Sequence, residues 1–186
     1  MMKNVLLIFG LIMLPATAVA QVNVLIVYDS KTGNTELMAE AVAEGADSVE
    51  GVDVLIQKTD ETSDDDLMRA DAIIVGSPVY NANVTPEVSR FIASWPFENR
   101  PLKDKIGAAF VTAGGISAGE EIVQMNILQS MLVFGMIVVG GPDWTQPFGA
   151  SAITGEDPFA GEPAKKFLDK GYQLGERVAK LAVRMN

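Results

Sequence analysis

The sequence predicts an α/β fold in which a five-stranded parallel sheet is doubly wound by helices on both faces. Three observations predict it. Short, nearly uninterrupted apolar runs rich in Val and Ile alternate along the chain with stretches of helical periodicity. The runs lack the apolar–polar alternation of a half-exposed strand, so they suit strands covered on both sides. The stretches between them are long enough for right-handed crossovers, which join parallel neighbours. At 186 residues and 48% apolar composition the chain is sized for one domain with a sizeable core.

Val22–Tyr28 (VNVLIVY) reads as the first strand, and the turn residues 29–34 break it. From Thr35 the positions Leu37, Met38, Ala41, Val42 and Gly45 recur at helical spacing, with Gly51 as a further stop signal. Residues 52–57 (VDVLIQ) form a second strand, after which Ser63 can cap a helix whose first turn carries Asp64, Asp65 and Asp66. A third strand over 71–76 (DAIIVG) leads to a loop and a helix over 85–94, with Pro86 placed at its first turn. Residues 106–112 (IGAAFVT) give the fourth strand and 118–134 a long helix, with Gly135 as its C-cap. The fifth strand is read at 136–139 (MIVV). A single long loop over 140–161 follows, and a closing helix over 163–183 ends the chain. Loops of that length tend to be functional.

The first twenty residues read as a leader. Lys3 precedes an apolar run from residue 5 to 14, then Pro15 and the small-residue triplet Ala18-Val19-Ala20, the three parts of a secretory signal peptide. As a helix this segment would reach roughly 24 Å, short of a bilayer core of about 30 Å. The expected organisation is therefore a signal peptide over 1–20 and one folded domain over 21–186, exported to the periplasm or outside the cell. An uncleaved leader would make a membrane tether. The formal charge is −10, from 14 basic and 24 acidic residues, a field that repels nucleic acid. With no cysteine and no histidine the chain has no thiolate chemistry and lacks the commonest metal ligand, so no metal site is expected. Redox chemistry would have to come from a bound organic cofactor.

In a doubly wound sheet ligands bind beyond the carboxyl ends of the strands, where the strand order reverses. The loops after strands one, three and four should converge there. The first, Ser30-Lys31-Thr32-Gly33-Asn34-Thr35, offers three hydroxyls, a flexible glycine and backbone N–H groups opening onto a helix N-terminus. Lys31 adds a cation. The spacing is neither that of a nucleoside-triphosphate loop nor the Gly-x-Gly-x-x-Gly of a dinucleotide fold, and a monophosphate fits better. Taken alone, such a loop also reads as a capped turn. In the second loop Ser77 and Pro78 precede Val79, Tyr80, Asn81 and Asn83. Pro78 stiffens it, Tyr80 offers an aromatic face, and the asparagines can pair with ring carbonyls and nitrogens. The third loop opens on Thr112, Ala113, Gly114 and Gly115, where small residues admit close backbone approach.

These residues carry a resemblance. The first loop matches in full the [Ser/Thr]-x-Thr-Gly-x-Thr pattern with which the flavodoxin family binds the FMN phosphate. The Pro-Val-Tyr-Asn of the second loop, the Gly-rich third loop and the strand over 136–140 resemble the FMN-dependent NAD(P)H:quinone reductases of the same superfamily. Those reductases usually carry a different first loop, so the chain mixes two subfamilies. The resemblance spans most of residues 22–183 and implies the flavodoxin-like strand order 2-1-3-4-5, FMN as cofactor, and the residues named above as its binding set.

Flavin carries the electron chemistry, so no catalytic side chain is needed. The resemblance implies an oxidoreductase taking electrons from NAD(P)H and passing them to a quinone or similar acceptor. The first loop and the acidic surface instead suit an electron carrier that docks on a redox partner. A non-catalytic domain retaining the fold is a third reading. The reductases form dimers or tetramers, so a homo-oligomer is among the implied arrangements. Export bears on the donor, because nicotinamide nucleotides are scarce outside the cytoplasm and no twin arginine precedes the apolar run of the leader, so the chain would cross unfolded and load FMN afterwards. Trp144 and Phe148 are read either as a cover for the flavin or as anchors of the long loop, and Trp95 as packing.

Overall fold

The computed structural model describes residues 21–186, so the expected signal peptide over 1–20 lies outside the described residues. Strand β1 (Val22–Tyr28) is followed by α1 (Asn34–Asp47), β2 (Val52–Lys58), α2 (Asp64–Arg69), β3 (Ala72–Pro78), α3 (Pro86–Ala93) and β4 (Ile106–Ala113). Then come α4 (Glu120–Val133), β5 (Ile137–Val138), β6 (Ala150–Ile153) and α5 (Lys165–Met185). The sheet runs β2-β1-β3-β4-β5, as expected, and β6 also pairs with β4. Every strand pair is parallel.

Two cores lie on the two faces. Alternate β1 side chains Val24, Ile26 and Tyr28 pack with Met38 and Val42 of α1 and with Leu174 and Val178 of α5. Their neighbours Leu25 and Val27 pack on the other face with Leu67 of α2, Val88 and Phe91 of α3, and Ile127 and Met131 of α4. The side-chain period of two sorts one apolar run between both cores, and this is why β1, β3 and β4 carry so little polar alternation. Trp95 belongs to the second core, edge-on to Phe91 and Phe134.

Ser63 caps α2 by a reciprocal box with Asp66, and Thr85 caps α3 with Pro86 at its first turn. Gly135 ends α4 at φ 83°.

The fifth strand departs from expectation. Its place at the sheet edge is shared by two segments: Ile137 and Val138 pair with Ile106 and Gly107, and Ala150–Ile153 pair with Phe110–Ala113. The expected 140–161 loop is thus two loops with a strand between them. The first half is closed by the Gly141 N–H donating to the Gln146 carbonyl and by buried Gln146 donating to the Gln173 side chain. Gly149 lies so close to the Ala109 carbonyl that a Cβ would overlap it, and its φ of 124° suits glycine. Sequence pattern misses β6 because Ala150-Ser151-Ala152-Ile153 is short and only weakly apolar.

Among the described residues no helix is long and apolar enough to cross a membrane.

Candidate functional site

The loops after β1, β3 and β4 meet at the carboxyl edge of the sheet. Gly33 at φ 91° turns the chain into α1 and, as its N-cap residue, brings no side chain to cap it. The Ser30 hydroxyl accepts from the N–H groups of Gly33 and Glu36 at 3.2 and 3.3 Å, curling the loop. Among the described residues no protein acceptor meets the N–H groups of Lys31, Thr32, Asn34 and Thr35. These donors stand at the positive end of a 14-residue helix, an arrangement that holds a phosphate. Nothing lies within 4 Å of where a Gly33 Cβ would be, so the approach is open.

Lys31, read from sequence as a cation near the phosphate, also has contacts to the second loop and to α3. Its ammonium lies 5.4 Å from the Tyr80 ring centre and 3.9 Å from a Glu87 carboxylate oxygen. The first loop thereby reaches the second.

The second loop is a tight hairpin. Tyr80 and Asn83 exchange both backbone hydrogen bonds at 3.0 Å, and Asn81 and Ala82 turn at φ 52° and 55°. This positive-φ pair is the hairpin-favoured turn. The Asn83 amide donates to the Asn81 carbonyl, leaving Asn81, Asn83 and Tyr80 exposed at the tip. Ser77 is fully buried; its hydroxyl donates to the Pro78 carbonyl and accepts from the Thr85 N–H, so it braces the loop from below. Pro78 is the last residue of β3 and is buried, while Val79 is half-buried.

Thr112 and Ala113 likewise belong to β4 rather than to the third loop, which begins at Gly114. The Thr112 hydroxyl lies 2.7 Å from that of Thr35, and the Thr112 carbonyl accepts from Val79 N–H at 2.8 Å. Gly114 is exposed and open, whereas Gly119 fits so closely against Ala82 that a Cβ would stand 2.7 Å from the alanine Cβ.

Residues outside the sequence expectation complete the rim. Glu156, from the loop after β6, accepts from the Ile116 N–H at 2.7 Å, and Thr154 donates to the Ala113 carbonyl. No pattern marked Glu156, because its role depends on β6. Trp144, at 88% exposure, stands in the separate β5–β6 loop, whose outward hydrogen bonds run to Gln173 and Lys170 of α5. That loop is anchored away from the three that converge, so the anchoring reading of its aromatics is favoured.

Residues 22–150 match the NADPH-dependent FMN reductase family. The chain belongs to that family. Membership makes FMN the cofactor of this flavodoxin-like chain, and the free N–H groups of the first loop fit its phosphate. A flavodoxin of Aquifex aeolicus is 37% identical over 166 residues, covering 84% of this chain and 86% of its own length. An NAD(P)H dehydrogenase (quinone) of Azorhizobium caulinodans is 30% identical over 196 residues, covering 87% and 98%. The crystal structure of a WrbA-like flavodoxin from Agrobacterium tumefaciens superposes with a TM-score of 0.76 at 24% identity, over 89% of this chain and all of the other, and supports the fold.

Proposed function

We propose that this member of the family is an FMN-dependent oxidoreductase that passes electrons from a reduced donor, NAD(P)H by resemblance, to a quinone or similar acceptor. One observation carries the reading: the three loops are tied together at one edge of the sheet, where the first presents unpaired N–H groups and the second and third present Tyr80 and Ile116, 40% and 56% exposed. Bound FMN supplies hydride and electron transfer. The chain's part is placement. Ser30, Lys31, Thr32, Gly33, Asn34 and Thr35 shape the phosphate end, Tyr80, Asn81 and Asn83 edge the ring, and Gly114 and Gly115 let backbone approach it. Ser77, Pro78, Val79, Thr112 and Ala113 hold those loops. The exposed Tyr80 and Ile116 side chains suit a neutral planar acceptor.

The mature chain, from Gln21, tests this when loaded with FMN and mixed with NADPH. Rapid loss of flavin absorbance, restored by added quinone, is the expected result; no bleaching over many minutes sinks the reductase reading.

A second reading rests on the rim's charge. Glu87, Glu120, Glu121, Glu156 and Asp157 stand on or beside the loops, and Lys31 is paired with Glu87. Such a mouth disfavours an anionic dinucleotide and favours a basic redox partner. Reduction by a cationic electron-transfer protein, slowed by salt, is the result expected of a carrier. We place this activity outside the cytoplasm, on the leader over 1–20.

A further inference from the structure

The hydroxyl pair of Thr35 and Thr112 is, among the described residues, the one side-chain hydrogen bond between α1 and β4. Both residues are buried, at 2% and 5% exposure, so bulk water competes little for the pair. Thr112 sits at a crossing. Its side chain meets the helix that opens from the first loop, its carbonyl holds Val79 at the root of the second, and two residues on, Gly114 begins the third.

We propose that Thr112 is a positioning residue that couples the phosphate end of the FMN site to its ring end. The proposal rests on the FMN reading above. A hydroxyl carries one proton and two acceptor lone pairs, and a phosphate only accepts. An anion held at the N-terminus of α1 therefore orients the Thr35 O–H toward itself, and Thr112 must then donate to Thr35. The donors align from Thr112 through Thr35 to the anion, and hydrogen bonds in such a chain strengthen one another. With its side chain held in this way, Thr112 keeps its backbone carbonyl on the Val79 N–H, at the root of the loop that carries Tyr80 and Asn81. Phosphate binding thus prepares the ring pocket, and ring binding by reciprocity tightens the phosphate.

Splitting the ligand tests this. Riboflavin carries the ring and inorganic phosphate the anion, and the readout is the factor by which saturating phosphate raises riboflavin affinity, followed by flavin fluorescence. A general loss of affinity cancels in that ratio. In the wild-type chain the factor is expected to be at least about fivefold. In Thr112→Val it falls below about twofold, and Thr112→Ser, which keeps the hydroxyl, restores it. Thr35→Val breaks the same pair from the other side and loses the coupling too, so the proposal stays testable if the valine at 112 does not fold. A wild-type chain that binds FMN but shows no phosphate effect on riboflavin overturns the proposal, as does Thr112→Val retaining the factor or Thr112→Ser losing it. Failure of the wild-type chain to bind FMN at all overturns the cofactor reading itself.

Discussion

The Lys31 ammonium lies over the Tyr80 ring at 5.4 Å, and this contact ties the first loop to the tip of the second. A cation over an exposed aromatic ring is worth roughly 0.5–1 kcal/mol. Lys31→Met should therefore weaken FMN by about two- to fivefold, and riboflavin by the same factor, because what is lost is the placement of Tyr80. A lysine acting on the phosphate would weaken FMN and spare riboflavin. Parallel titrations of the two ligands separate these outcomes.

Thr32→Ala carries the opposite signature. The Thr32 side chain is exposed at the open mouth of the first loop. Removing a hydroxyl that bonds a charged group costs about 1.5–3 kcal/mol, roughly a tenfold or greater loss of FMN affinity with riboflavin unchanged. Equal affinity of the variant for FMN would rule out Thr32 as a phosphate ligand.

Much of this arrangement was legible in the sequence. The doubly wound sheet and the converging loops follow from alternating apolar runs and from glycine and proline placed at their ends, signals local to each segment, and the strand order from the resemblance those loops carry. What was not legible depends on pairing across the fold. Ser77 and Thr112 look like ligand-facing residues in a loop, yet their hydroxyls are turned inward to Thr85, Pro78 and Thr35. No sequence signal marks Lys31 as standing beside Tyr80 and Glu87. The strand β6 was hidden because three small residues and one isoleucine become a strand only against the edge of β4.

Trp144 tests that loop assignment. It stands on a turn fixed by the Asp143 carboxylate, which accepts from both the N–H and the hydroxyl of Thr145 at 2.7 Å, bonds that hold the Asp143 carboxyl below the ordinary aspartate range. Trp144→Ala is expected to change FMN affinity by less than about twofold and stability by less than about 0.5 kcal/mol, as for a surface position. A tenfold loss of FMN would place the indole over the cofactor after all.

The α2 cap has a pH signature. The Ser63 hydroxyl, then the Ser63 N–H, hold the Asp66 carboxyl below its ordinary value. A carboxyl depressed in the folded state stabilises above its unfolded value, and that contribution fades as pH falls through the folded one. Ser63→Ala should cost about 1 kcal/mol at neutral pH, with the gap from wild type narrowing below about pH 4. Denaturant melts at the two pH values read the difference directly.

Tyr28 behaves in the reverse sense. Burial first, then its hydrogen bond to Glu36 at 2.8 Å, push the phenol well above the ordinary tyrosine range. Its contribution is complete below the unfolded value and is lost as pH rises toward the folded one. The stability difference between wild type and Tyr28→Phe should shrink above about pH 10, and the wild-type minus Tyr28→Phe ultraviolet titration should lack ionisation in that range.

The interruption between β5 and β6 has a consequence for the chain in a crowded solution. An open sheet ends in strands with unpaired backbone groups, which recruit other chains edge to edge. Here the edge beside β4 is broken into segments of two and four residues, with a folded loop standing between them. No continuous ladder is offered on that side. An edge so interrupted gives a neighbouring chain little to pair with, which works against edge-to-edge aggregation.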